Sequence, residues 1–433
     1  MNEAVRVRHE AAHRAYAGLE PEGIPHPPHP IAHYERRDAR RLDGISRALD
    51  RLARPFMRFG GRRISSYNGM GYIGIVAGTA AGAAVGAVRG LSPGVLAAVW
   101  LAVVLVSAAQ IVATVVVTGR DRLVFLRFLL GGLVASALVA GLAGVSVLAV
   151  LDAVIVGFGA LQAPGRVGCF MAGCCHGVPA AWGVSYGARH TASGIPPALF
   201  GVRFVPIQLL ESGWIVLCTF VAIVLAFSGA AAGVPLFVYI AFYATGRFSV
   251  EYARGDRYRL AHGGLTEAQW ITLALTLGAS GAVLAGGAPA PRWLPGVLAL
   301  PILFALWQAM RRRRDGGATE PHDLFLLARA IDTLEAGDAM PARRPGAVHV
   351  ARMTNGVLVS REPAVDGISL TFTLSGTAGL LAPRKARRLG AFLFRLRPAI
   401  QQAVLYKAGA NMYHMACRLT RSVDAPAPTP FLA

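Results

Sequence analysis

Residues 68–88 read NGMGYIGIVAGTAAGAAVGAV, twenty-one positions without a charged side chain. A helix standing upright in a bilayer needs about 20 apolar residues to cross it. The inner part, AGTAAGAAVGA at 77–87, is mostly Gly and Ala. Such small residues let helix backbones approach closely in lipid. Further apolar runs lie near 93–117, 128–150, 152–164, 206–228, 233–250, 266–287 and 293–310. The 152–164 run is too short to cross alone. It is expected to tilt, to be buried in the bundle, or to continue into the segment that follows. The expected fold is an all-α polytopic membrane protein with seven to eight transmembrane helices and a small soluble α+β C-terminal domain.

Composition agrees with that reading. Of 433 residues, 54% are apolar and 15% charged, and mean hydropathy is +0.49. These values exclude a disordered chain and argue against a soluble globule. The formal net charge is +20. Residues 1–63 hold 13 Arg against 8 acids, and residues 311–433 hold 18 Lys and Arg against 9 acids. Residues 64–310 hold only 12 basic and 6 acidic side chains. An apolar centre between basic ends needs no nucleic-acid partner to explain its charge. Three regions follow. Residues 1–63 are a polar His/Pro-rich tail with a basic amphipathic helix, 64–310 the membrane domain, and 315–433 a basic soluble α+β domain.

The opening residues are polar and lack the apolar core of a signal peptide, so none is expected. His9, His13, His26, His29 and His33 cluster near PHPPHP and read as a solvated tail rather than a metal site. Ile45, Leu49, Leu52 and Phe56 recur at helical spacing, which predicts a helix over 35–58. In the last region GVLVSREP and ISLTFTLSG alternate like strands, and 382–408 reads as a basic amphipathic helix. His414 and Cys417 read as surface and packing residues. Arg clusters at Arg120, Arg122 and Arg127, at Arg254, Arg257 and Arg259, and at Arg311 to Arg314 all fall inside if eight spans follow a cytoplasmic N-terminus.

Charges inside apolar spans are costly and therefore informative. The central region offers Asp152, Glu211, Arg247 and Glu251, with Arg166 at a span end. In GRFSVEYARGD (246–256), Arg247, Glu251 and Arg254 share one helix face. Glu251 can pair with either Arg and leave one guanidinium for an anion; the alternative is a salt-bridge network that only fixes helix packing. Gln208 and Glu211, in VPIQLLES (205–212), face one way and can meet a headgroup or water. GRVGCFMAGCCHG (165–177) places Arg166, a planar donor fork suited to phosphate, beside Cys169, Cys174, Cys175 and His176. His190 is a further candidate ligand. The adjacent Cys174–Cys175 pair is not zinc-ribbon spacing and no second C-x-x-C exists, so no metal and no cofactor are assigned. A thiol site and plain buried packing both stay open.

These segments, taken in order, resemble the bacterial prolipoprotein diacylglyceryl transferases over about residues 62–287. RRISSYNGMGYIGIVAG resembles the family's opening Tyr-Gly segment, which marks Tyr67. LLGGLVAS resembles its Gly-Gly-Leu segment, which marks Gly131 and Gly132. GRVGCFMAGCCHG lies where the family has Gly-Arg-x-Gly-Asn-Phe-x-Asn-x-Glu-x-x-Gly. VPIQLLES resembles Pro-x-Gln-Leu-Tyr-Glu, GRFSVEYARGD resembles Arg-Phe-x-x-Glu-x-x-Arg, and LTEAQW resembles Leu-Thr-x-x-Gln. The resemblance implies transfer of diacylglycerol from phosphatidylglycerol to a prolipoprotein Cys, in a multi-pass protein of the bacterial inner membrane. Its implied partners are phosphatidylglycerol, membrane lipid and lipoprotein precursors. It implies Arg166 and Arg247 as phosphate residues, Glu251 as their orienting partner, and Gln208, Glu211 and Arg254 as substrate-binding.

The departures are specific. The family's His before Gly-Gly-Leu is Leu130 here, its first Asn is Cys169 and its Glu is Cys174. HGGL occurs at 262–265, out of order, and carries no role. Either the base has moved, to His176 or His190, or the activity has changed. The family also works at the outer face with seven spans and an outside N-terminus, against the orientation that the Arg clusters suggest. Two other readings remain: a lipid-binding or assembly protein on a retired enzyme scaffold, and a thiol or metal site at Cys169, Cys174, Cys175 and His176.

Overall fold

The computed structural model describes residues 30–35, 43–119, 125–193, 195–255, 261–262, 265–286, 289, 291, 293–315, 321–338, 350–353, 356–363, 369–376, 381–397, 399–409 and 411–419. The His-rich stretch 1–29, most of the basic loops at Arg120, Arg122, Arg257 and Arg259, and the Gly pair of HGGL lie outside these residues. The chain divides into two units, one of residues 39–316, the other of residues 1–38 with 317–433.

The first unit is helical. Its helices are α1 (Asp43–Leu52), α2 (Ser66–Val88), α3 (Pro93–Thr118), α4 (Phe125–Leu142), α5 (Val147–Ala172), α6 (Ile207–Phe227), α7 (Val234–Val250), α8 (Glu267–Leu284) and α9 (Leu294–Asp315). Five of them, α2 to α6, are long and apolar enough to cross a membrane; α9 contains a shorter apolar stretch, Leu294–Trp307. Helix ends follow local chemistry. Ser92 accepts a hydrogen bond from the Val95 N–H with Pro93 in the first turn, and Gly119 closes α3 in the left-handed region. Ser146 caps α5, and Thr266 and Gln269 form a capping box on α8.

The short 152–164 run does continue into the segment that follows. It is the middle of α5, which starts at Val147 and runs through Pro164 to Ala172. The break falls at 143–146, where Gly144 takes a positive φ, and not near 151. The close helix contact announced by the glycines of 68–88 is α2 on α5. A Cβ built on Gly74 would lie 2.4 Å from the Leu161 carbonyl oxygen, one on Gly78 2.6 Å from that of Gly157, and one on Gly82 3.0 Å from that of Ala153. Residues at every fourth position thus press one backbone onto the other. Outward, α3 exposes Val104, Leu105, Val112, Val116 and Val117, a face suited to lipid.

Helix α1 is shorter than the predicted 35–58. Pro55 biases Arg54 away from helix, and Phe56–Phe59 pairs instead with Arg62–Ser65 as a hairpin. Ile45 and Leu52 are exposed, while Ser46 is buried. The polar side of α1 is what docks: Gly183 N–H donates to Ser46 Oγ at 3.2 Å, Ser185 N–H donates to Asp50 Oδ1 at 2.7 Å, and Arg203 pairs with Asp50 at 3.2 Å.

The second unit carries a six-stranded antiparallel sheet in the order Pro30–Glu35, Ile400–Gly409, Met412–Leu419, Ser369–Gly376, Val357–Pro363, Val350–Arg352. Helices α10 (Pro321–Asp338) and α11 (Pro383–Leu396) accompany it. Both predicted strands are present. The predicted helix over 382–408 ends at Leu396, ahead of Pro398, and the alternating QQAVLYKA that follows is strand. Pro30–Glu35, inside a segment read as mostly irregular, pairs with Ile400–Gly409 at the sheet edge. Cys417 is fully buried, and Thr373 and His414 share a hydrogen bond of 2.8 Å.

Candidate active site

Helices α5, α6 and α7 and the turn after α7 bring five charged side chains into one line. Glu211 Oε1, on the first turns of α6, lies 3.0 Å from Arg166 Nη2 of α5 and 3.3 Å from Arg247 Nε of α7. Arg247 Nη1 donates to Glu251 Oε2 at 2.5 Å, and Arg254 Nη1 stands 3.6 Å from the same oxygen. Arginine and glutamate alternate through the line, with three guanidinium groups against two carboxylates. Glu211, Arg247 and Glu251 are each at most 4% exposed, so this part of the line is held out of bulk water. The contacts on Glu211 are charge contacts off the hydrogen-bond axes: Glu211 Oε1, Arg166 Nε and Arg247 Nε have no hydrogen-bond partner among the described residues. Buried donors without acceptors cost about 1–3 kcal/mol each. Guanidinium donors without acceptors are what an anion would use.

The thiol turn sits directly after Arg166. Cys169 is on the last turn of α5, Gly173 caps that helix with φ +86°, and Cys175 has φ +54°, the one non-glycine positive φ among the described residues. The backbone reverses there, and the Sγ atoms of Cys169, Cys174 and Cys175 come within 4.8 Å of one another. Hydrogen bonds from Cys169 and Cys174, then the charges of Arg254 and Arg166, hold the Cys175 thiol below the usual range; Cys174 moves up by the same coupling. The segment after the turn is tied down. Gly255 N–H donates to the His176 carbonyl and Val178 N–H to the Ala253 carbonyl, each at 2.9 Å. This pairing sets Arg254 beside the turn.

Gln208 fixes the turn from α6. Its Nε2 donates to the Cys174 carbonyl at 2.8 Å and stands 3.3 Å from Tyr186 Oη, while its buried Oε1 has no partner among the described residues. Tyr186, which sequence reasoning missed, also donates to the Phe170 carbonyl. A lone aromatic in a loop gave no signal of that role. Tyr67 opens α2 and is half-exposed; a Cβ on Gly168 would come within 3.1 Å of its Cα. Tyr67 therefore stands at the same end as Arg166 and the three thiols.

Other candidates lie elsewhere or are otherwise engaged. Gly131 and Gly132 are contact points in α4: a Cβ would meet Gln110 Nε2 at 2.1 Å and the Phe158 ring at 2.7 Å. His190 uses both ring nitrogens on backbone. Gly187 N–H donates to Nδ1 at 3.3 Å, and Nε2–H donates to the Ala53 carbonyl at 3.2 Å. Burial pushes its pKa below the ordinary 6.5, which keeps the ring neutral. His176 is buried against Phe204, and its Nδ1–H donates to the Gly177 carbonyl at 3.0 Å. That bond places a proton on Nδ1. Asp152, singled out as an in-span charge, is a structural cap. It accepts from Gly233 and Leu236 N–H at 2.9 and 3.0 Å at the start of α7, and pairs with Arg89 at 2.8 Å.

Residues 123–285, which hold the charged line and the thiol turn, match the family model for prolipoprotein diacylglyceryl transferase. Three curated relatives agree. A phosphatidylglycerol–prolipoprotein diacylglyceryl transferase of Clostridium tetani is 33% identical over 110 residues, 25% of this chain and 43% of the relative. A protein of Clostridium perfringens named as the second such transferase is 29% identical over 165 residues, 36% of this chain and 62% of the relative. One of Dehalococcoides mccartyi is 35% identical over 127 residues, 29% of this chain and 46% of the relative. The chain thus spans about half the length of the curated relatives it matches.

Proposed function

Because residues 123–285 match the family model for prolipoprotein diacylglyceryl transferase, we propose that the chain is a member of that family and moves a diacylglyceryl group from phosphatidylglycerol to a cysteine thiol of a lipoprotein precursor. The observation that carries this reading is the buried line Arg166–Glu211–Arg247–Glu251–Arg254, in which Arg166 Nε and Arg247 Nε have no hydrogen-bond acceptor among the described residues. The acceptor sulfur attacks the glyceryl carbon, the bond from that carbon to the phosphate oxygen breaks, and glycerol phosphate leaves with the electron pair. Arg166 and Arg247 hold the phosphate and stabilise the charge that grows on it. Glu211 and Glu251 orient the two guanidinium groups from either side. Gln208 offers its Oε1 to a glycerol hydroxyl. A proton must leave the thiol. His190 is committed to backbone by both nitrogens, and we assign the proton to His176, which follows the thiol turn.

The setting belongs to the same proposal. Seven to eight of the helices α2 to α9 cross a bacterial inner membrane, and the buried charges face substrate drawn from the lipid. Residues 64–310 act as the membrane domain and 315–433 as a soluble domain, and no nucleic acid is involved.

The test is kinetic. Arg166→Lys and Arg247→Lys keep the charge and remove the Nε–H donor. Each should lower the turnover of phosphatidylglycerol by about 100-fold or more, the usual effect of deleting a transition-state donor, in protein that keeps its thermal midpoint. Wild-type turnover in both variants would contradict the phosphate assignment.

A further inference from the structure

The three thiols have no part in the transfer as derived, yet the chain is folded to bring them together. The α5 terminus, the Gly173 cap and the positive φ of Cys175 aim Cys169, Cys174 and Cys175 at one point, within 4.8 Å of one another. A non-glycine residue in that backbone region costs energy and persists only where its surroundings enforce it. Here Gln208 holds the Cys174 carbonyl and the Gly255 N–H holds that of His176. None of the three is in a disulfide. Among the described residues the metal-ligating group holds sulfur only, which suits a soft ion and not magnesium or calcium.

We propose that Cys169, Cys174 and Cys175 bind a zinc ion through three thiolates, with a fourth position open to the incoming acceptor thiol. Zinc–sulfur bonds of about 2.3 Å in a tetrahedron put the sulfurs about 3.8 Å apart, a small inward movement from the spacing seen. Zinc with three thiolates carries one net negative charge, and Arg166 and Arg254 supply the nearby positive charge. Three protein ligands and one open position is the pattern of zinc sites that act on a bound group. The role for the fourth position rests on the transferase reading. There the acceptor thiol binds zinc as thiolate and passes its proton to His176, the base of that reading. Its sulfur forms the bond to the glyceryl carbon as the carbon–oxygen bond to phosphate breaks. Zinc stays divalent, and the thioether product, a weaker ligand, departs.

The experiment uses the full chain, purified reduced in detergent, loaded with zinc and freed of excess. Wild type should hold about one zinc more per chain than Cys174→Ser/Cys175→Ser. Counting the difference removes zinc held by the His-rich tail. Cobalt loaded in place of zinc should give a thiolate-to-cobalt charge-transfer band in wild type only. That band should change with a lipobox peptide and not with its Cys→Ser form. Equal zinc in wild type and variant, with matching thermal midpoints, overturns the metal site. A cobalt–thiolate band that ignores the peptide thiol overturns the fourth-position role. Metal and thiol binding without lipid transfer would contradict the transferase reading alone, and transfer by zinc-free protein would contradict this inference alone.

Discussion

Glu211 is the residue on which the charged line depends, because one of its oxygens faces guanidinium groups from two other helices. Removing one partner from a buried ion pair typically costs about 3–5 kcal/mol, since the other charge stays buried. Glu211→Ala should therefore cut the yield of folded protein, whereas Glu211→Gln should fold and lose transfer, as thermal midpoint and turnover measured side by side would reveal. His190 gives a pH signature. Its folded pKa is lowered by burial, so the unfolded chain binds more protons as pH falls through about 6.5. The stability it supports is full above that pH and is lost below it. Thermal midpoints of wild type should drop on acidification from pH 7 more steeply than those of His190→Gln, and parallel curves would refute the assignment. Part of this was legible in the sequence. The spacing of Arg247, Glu251 and Arg254 places them together, although the helix ends at Val250 and Arg254 is extended, and the thiols announce themselves by proximity. The bridge from Glu211 was not legible, nor was the lock on His190: its acceptor, Ala53, is 137 residues away, and no local pattern encodes such a contact.

At the scale of elements, the glycines of α2 decide how closely it lies on α5. Gly78→Leu would drive a side chain into the Gly157 carbonyl and should destabilise the pair by about 1–3 kcal/mol or more. Gly71→Ala, where nothing lies within 4 Å, should be tolerated. Equal detergent stability of the two variants would refute the close packing of α2 on α5. The glycine pattern told the sequence reader that a close contact existed; it could not say with which helix. The extent of α5 was harder. Pro164 and Gly165 resemble a helix end, yet the helix continues because only one backbone bond is lost and neighbouring helices hold it. The reverse error arose at 382–408, where one basic, apolar stretch holds a helix and a strand, and the change from period 3.6 to period 2 comes at Pro398.

For the whole molecule, the proposed span count fixes where the ends lie. Eight crossings leave both termini on one face, seven on opposite faces. The Arg clusters favour eight with both ends in the cytoplasm. Reporter fusions at residues 1 and 433 should then read alike, and opposite readings would require that one of α2 to α9 does not cross. The two basic ends would then lie at the anionic cytoplasmic leaflet, a placement that Arg can stabilise by about 1 kcal/mol per residue. The most direct measurement is of the reaction. Purified protein in phosphatidylglycerol vesicles, given a lipobox peptide, should add one diacylglyceryl mass to the peptide cysteine. The Arg166→Ala protein should add none, and neither should wild type in vesicles of phosphatidylethanolamine alone. No mass gain with folded wild type in phosphatidylglycerol would contradict the account.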